Sequence, residues 1–110
     1  MSDRDVHRLQ HMQAHAREAI ALAAERSRVD LDEDRVFSLA MTRLLEIVGE
    51  AAARISVEAR MQLPDIPWPD IVSLRNRLIH GYDAVDHDIL WNIVREDLPL
   101  LVEQMESYLT

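Results

Sequence analysis

The chain has 110 residues, close to half of them hydrophobic, and a formal net charge of −8. That length suits one domain, 1–110, around a single core, and the acidic balance excludes a surface that coats nucleic acid, though not one that grips a phosphate locally. Cysteine is absent, which excludes disulfides and thiolate chemistry and fits a reducing cytoplasm, and neither a signal-peptide core nor an apolar run of the ~20 residues a membrane span needs is present.

With only two glycines and a wealth of alanine, leucine, arginine and glutamate, the composition favours helices. The spacing predicts a first helix over 3–26, with Val6, Leu9, Met12, Ala16, Ile20 and Ala23 on one stripe. His7, His11 and His15 follow one another at four-residue steps beside that stripe. Such a ladder can share a cation, but without a matching carboxylate it reads as a polar flank, and no metal is assigned to it. Residues 27–34 form a polar connection ending in an acidic cluster suited to a helix N-terminus.

A second helix is expected over 34–55, its inward face built from Val36, Phe37, Ala40, Met41, Leu44, Val48, Ala51 and Ile55. Gly49 inside it predicts the close approach of another helix. Ser56 suits the N-cap of a short helical turn through Met61. Pro64, Pro67 and Pro69 interrupt the pattern and lead into a third helix ending near His80, where Gly81 is free to take the left-handed C′ conformation. A turn over 83–86 precedes a fourth helix, 86–108, kinked or split near Pro99. Asp83, Asp86, His87 and Asp88 offer hard ligands for a cation, yet a turn followed by an N-cap explains them with less. Trp68 and Trp91 sit among apolar neighbours and read as core or interface anchors. The expected architecture is all-α: an antiparallel bundle of four main helices plus one short helical turn.

One stretch departs from that scheme. On an ideal helix Ile71, Leu74, Leu78 and Ile79 share an apolar arc, and Arg75 falls near its middle. Asn76 and His80, four apart, project together at its border. Either Arg75 snorkels or pairs with a buried carboxylate, for which Glu50 is the candidate, or the arc is a cleft or interface where Arg, Asn, His and Tyr meet an anion. Ser73 to Tyr82 carries two arginines, a histidine and no acid, a basic island in an acidic chain.

The string Arg75-Asn76-x-x-x-His80-Gly81-Tyr82 resembles the Arg-x4-His-x-Tyr motif of HepT-type toxins in the HEPN superfamily, without departure from it. Ile47-Val48-Gly49-Glu50-Ala51-Ala52, Ile66-Pro67-Trp68, Val85-Asp86, Trp91 and Asp97-Leu98-Pro99 follow the family's order and spacing. The resemblance covers about residues 37–109 and leaves the histidine ladder outside. It implies a metal-independent endoribonuclease of a type VII-like toxin–antitoxin pair, cytoplasmic, needing no cofactor, working as a homodimer, and encoded beside a minimal nucleotidyltransferase antitoxin. It assigns RNA cleavage to Arg75 and His80, with Asn76 in the same site, and makes Tyr82 the position whose modification with AMP silences the toxin.

The chemistry is coherent with those residues. Metal-free cleavage needs a base for the 2′-hydroxyl, an acid for the leaving 5′-oxygen and a cation for the phosphorane. Histidine supplies a base or an acid, and a twofold dimer supplies a second one. Arginine supplies a fork matched to phosphate oxygens. The products would be a 2′,3′-cyclic phosphate and a 5′-hydroxyl. Two other readings compete: a non-catalytic helical dimer whose basic pocket binds nucleotide or a nucleotidyltransferase, and a metal-binding bundle built on His7, His11 and His15.

Overall fold

The computed structural model describes residues 1–81 and 84–109, which form helices and one small hairpin. Helix α1 (Asp3–Ala23) starts at Ser2, whose hydroxyl accepts the Asp5 N–H, and buries Leu9, Met12, Ala16, Ala19 and Ala23. It ends three residues before the expected boundary. A further short helix, α2 (Asp30–Glu33), occupies the expected polar connection, because Leu31 within that acidic run is driven into the core, 1% exposed.

Helix α3 (Arg35–Ala53) is capped by Asp34, which accepts the Phe37 N–H at 3.0 Å. Its buried face carries Phe37, Met41, Leu44, Leu45, Val48 and Ala52 and lies against α1. Val36, expected on that face, is 77% exposed. It lies roughly 120° around the helix from Val48, outside the stripe. Ser56 caps α4 (Val57–Met61), and its N–H and hydroxyl both donate to Asp5, at 2.9 and 2.8 Å. The start of α1 is thereby pinned to the α3–α4 junction, with Asp5 itself only 5% exposed.

The expected third helix is broken. It consists of α5 (Trp68–Val72) and α6 (Leu74–Leu78), separated at Ser73. The carbonyl of Asp70, the α-helical acceptor for residue 74, takes the Ser73 hydroxyl at 3.2 Å and an Arg77 N–H at 3.4 Å, side-chain donors that compete with the helical ladder. The chain then leaves the helix before His80: β1 (Ile79–His80) pairs antiparallel with β2 (Ala84–Val85), Ile79 opposite Val85 and His80 opposite Ala84. Gly81 does adopt a left-handed φ of +78°, but at the end of β1 rather than as a helix C′ residue.

Asp86 caps α7 (His87–Asn92), accepting the Ile89 N–H at 3.0 Å. A π turn, Ile93–Asp97, follows and leads into α8 (Leu98–Leu109). The expected kink near Pro99 is this π turn: Leu98 N–H bonds back to Ile93, and Pro99, with no N–H to offer, sits in the first turn of the new segment. Helix α1 packs on α3 and α8, and α3 on α5 and α6, around the core. Trp68 is buried there and donates its indole N–H to the Leu63 carbonyl, while Trp91 is half-buried under the Arg95 guanidinium. The architecture is an all-α bundle of four main helical elements. Among the described residues no helix is long and apolar enough to cross a membrane.

Candidate functional site

The break at Ser73 decides where Arg75 points. Ile71, Leu74 and Leu78 are buried at 3, 0 and 0% exposure, so the apolar arc is closed core and not an open cleft. With Ile79 removed to a strand, the helical arc shrinks to those three residues and Arg75 falls at its edge. Its side chain is 63% exposed, and Nε lies 3.6 Å from Oε2 of Glu46. The expected partner, Glu50, pairs instead with Arg43 at 3.2 Å. Glu46 is the better placed of the two because it is four-fifths buried, held beside the α5–α6 junction where Gly49 lets that junction approach. A Cβ on Gly49 would stand 3.0 Å from the Ile71 carbonyl oxygen. Glu46, Gly49, Glu50 and Ala53 on α3 and Val72, Arg75 and Asn76 opposite them line one open cleft of about 220 Å³. Among the described residues Arg75 donates no hydrogen bond: Glu46 stands beside its Nε at an ion-pair distance, and the terminal amines are open to the cleft.

His80 stands on a different element from Arg75 and Asn76, its side chain 62% exposed. Its Nε2 faces Oδ2 of Asp86 at 3.9 Å, an ion-pair distance too long for a hydrogen bond. Asp86 is tied twice, through the α7 cap and through its own N–H to the Leu78 carbonyl at 2.8 Å. The structure thus brings Arg75 and Asn76 onto one cleft wall and sets His80 on the adjoining hairpin over a fixed carboxylate. Tyr82 and Asp83 lie outside the described residues.

Two features of the neighbourhood are not evident from the sequence pattern. Glu46 is one; its signal is position, since residues three before and one after Gly49 both flank the close approach that Gly49 permits. The other is a relay that crosses three helices. The His87 Nδ1–H donates to Asp32 at 2.7 Å, and its Nε2 shares a hydrogen bond with the Ser38 hydroxyl at 2.9 Å. The His87 hydrogen bond, reinforced by Arg28, holds the Asp32 carboxyl below the usual carboxylate range. His87 is therefore more than a helix-start residue: it fastens α7 to α2 and α3. This relay lines a cleft of about 640 Å³, together with Glu46 and with Ile79 and Val85 of the hairpin. Glu46 so belongs to the walls of both clefts. Asp88, the last of the acidic turn residues, pairs with Arg28 at 2.7 Å.

The histidine ladder stacks as expected for residues on one face. His7 and His11 rings are 4.4 Å apart, His11 and His15 rings 5.9 Å, and His15 Nδ1 donates to the His11 carbonyl at 2.7 Å. Among the described residues no group of three His, Cys, Asp or Glu side chains is placed to hold a metal ion.

Comparison with known proteins agrees with the motif. The family model described as "Ribonuclease HepT-like" matches residues 12–108. A protein of Thermococcus cleftensis named "Probable ribonuclease HepT" is 39% identical over 94 residues, covering 82% of this chain and 86% of that protein. A Methanocaldococcus jannaschii protein named "Putative RNase" is 41% identical over 73 residues, 66% of this chain and 67% of its own. One of the same description from Caldanaerobacter subterraneus is 35% identical over 80 residues, covering 73% and 71%. No solved structure gives a significant match.

Proposed function

The chain belongs to the HepT-like ribonuclease family, and from that premise we propose that it is a metal-independent, cytoplasmic endoribonuclease toxin that cuts RNA with Arg75, Asn76 and His80. The observation that carries this reading is the state of Arg75: its Nε lies at ion-pair distance from the mostly buried Glu46, and its exposed side chain lines an open cleft shared with Asn76. A permanently charged planar fork in that setting suits the non-bridging oxygens of a phosphodiester and the charge that grows on them as the 2′-oxygen attacks. His80 is the proton-transfer group. In the base role it removes the 2′-hydroxyl proton; the O2′–P bond forms, the P–O5′ bond breaks, and an acid returns a proton to the 5′-oxygen. The products are a 2′,3′-cyclic phosphate and a 5′-hydroxyl end.

One imidazole does not serve as base and acid in the same concerted step. Arg75 and His80 are both more than half exposed in the single chain, which supports a composite site formed when two copies face each other and exclude water. The homodimer thus belongs to the proposal. So does a partner nucleotidyltransferase that adds AMP to Tyr82, two residues after His80, placing bulk and negative charge where RNA enters.

The purified chain is incubated with RNA in excess chelator, its mass in solution measured by light scattering. The expected result is a dimer that produces cyclic-phosphate ends, with Arg75→Ala and His80→Ala reducing cleavage at least a hundredfold without loss of the dimer. Variants that cut like the parent overturn the catalytic assignment, and a dimer that never cuts RNA favours a binding module. With ATP and the partner, a mass increase of one AMP mapping to Tyr82 is expected; its appearance elsewhere removes that role.

A further inference from the structure

The cleft between α1 and α3 is not used by the chemistry above, and it has an unusual charge. His7, Arg8, His11 and His15 from α1 face Arg43 of α3 and Arg54, its C-cap, across about 480 Å³ of open space also lined by Ile47 and Ala51. In a chain with twenty acids and twelve arginines, this cleft gathers three arginines and three of the five histidines around one acid, Glu50. Glu50 is already answered by Arg43. Arg8 donates to the Arg54 carbonyl at 2.7 Å, and among the described residues neither Arg8 nor Arg54 forms an ion pair. Asp5, one turn before Arg8, is turned away to Ser56. Among the described residues the cleft lining thus keeps a cationic excess, with Asp5 acting on Arg8 only at a distance.

The position of this cleft matters as much as its charge. Glu50 lines both it and the cleft that holds Arg75 and Asn76, so the two hollows lie side by side along α3. Arg43 and Arg54 are eleven residues apart, roughly 16 Å along the helix, a length that spans more than one phosphate of a single strand. His7 and His11 are exposed and carry N–H donors, while His15 has committed its Nδ1–H to the His11 carbonyl and its Nε2 would donate only in the protonated ring.

We propose that this His/Arg cleft is a phosphate-binding subsite for single-stranded RNA, holding the backbone beside the scissile linkage that Arg75 engages. It rests on the ribonuclease reading and adds to it a binding surface, built partly from residues ahead of the family match at residue 12. The subsite neutralises phosphates without reading bases, so its signature is ionic strength dependence and not sequence preference.

The test is binding of a 2′-O-methyl oligoribonucleotide, which is not cleaved, to the full chain across a salt series, together with cleavage kinetics on long RNA and on a dinucleotide. The His7→Gln/His11→Gln/Arg54→Gln variant is expected to bind about tenfold more weakly, with the slope of log K against log salt reduced by about one. On long RNA KM rises with kcat unchanged, and the dinucleotide, too short to reach the cleft, is cut as before. His11→Glu, a single change at an exposed helical position, is expected to weaken oligonucleotide binding in the same direction. Arg95→Gln, on the Trp91 surface, leaves the slope alone. If both cleft variants bind and titrate like the parent while the parent cuts RNA, the subsite is refuted and the ribonuclease reading stands. If the parent neither binds nor cuts RNA, both fall.

Discussion

At the scale of single residues, Gly81 has the simplest physics. Its φ of +78° lies in the region that a side chain disfavours, and a Cβ there would meet nothing within 4 Å. Gly81→Ala therefore costs about 1–2 kcal/mol of backbone strain with no clash to relieve. A lowered denaturation midpoint is expected, with a larger loss of RNA cleavage, since the strained position adjoins His80; a midpoint equal to the parent's would show that the hairpin relaxes freely. The motif named Arg75, Asn76 and His80 as the candidate set before any geometry, but not that His80 would stand on a separate strand. Glu46 was not legible from it. The sequence offered Glu50, beside Gly49, yet both carboxylates border the face that Gly49 opens, and the choice between them depends on where α5 ends, which is set by the competition for the Asp70 carbonyl.

At the scale of elements, the contact between α3 and the α5–α6 junction is the joint on which the Arg75 cleft depends. A methyl group at Gly49 meets the Ile71 carbonyl at 3.0 Å and the Leu74 Cβ at 3.4 Å. Alanine there gains about 1 kcal/mol of helix propensity against a few tenths of an ångström of displacement, so its melting temperature is expected near the parent's. Valine adds bulk the joint lacks and costs about 1–3 kcal/mol net of any relaxation. In both variants the α5–α6 unit shifts relative to Glu46, so RNA cleavage is expected to fall further than stability does; parallel chemical denaturation and cleavage assays separate the two. Helix starts were readable wherever a side chain caps them, at Asp34, Ser56 and Asp86. The split at Ser73 and the strand at His80 were not, because residues 71–79 carry a continuous helical period and the interruption comes from side-chain donors and from pairing with residues later in the chain. The π turn lay between: Pro99 announced an irregularity but not its form.

At the scale of the whole molecule, charge pairs concentrate where α1, α2, α3 and α7 converge. Arg26 bonds Asp34 at 2.8 Å and lies 3.3 Å from Asp30, while Arg28 joins Asp32 and Asp88. Four carboxyls are held below their ordinary range: Asp5 chiefly by the Ser56 N–H, Asp30 by the Ser27 N–H, Asp32 by His87 and Asp34 by Arg26. A depressed native pKa means that the unfolded chain binds these protons first as pH falls. The contribution is complete well above the ordinary carboxylate value of 3.8 and is lost as pH drops through and below it. The melting temperature is thus expected to change little on these groups' account between pH 7 and 5 and to decline steeply below about pH 4. Asp5→Asn should shrink the part of that decline owed to Asp5, and a profile identical to the parent's would remove Asp5 from the account.

The hairpin has a further consequence, in the way the molecule opens. Arg75 and Asn76 ride on a helix rooted by Leu74 and Leu78 in the core, whereas His80 rides on a ladder two residues long on each strand. Regions with so few protected backbone hydrogen bonds open with far less free energy than the core around them. Amide hydrogen exchange at residues 79–80 and 84–85 would then be fast while the helical core is still protected. In the proposed enzyme, heat would scatter the proton-transfer group away from its phosphate clamp while the bundle stayed folded, and cleavage would fade with temperature ahead of the melting transition.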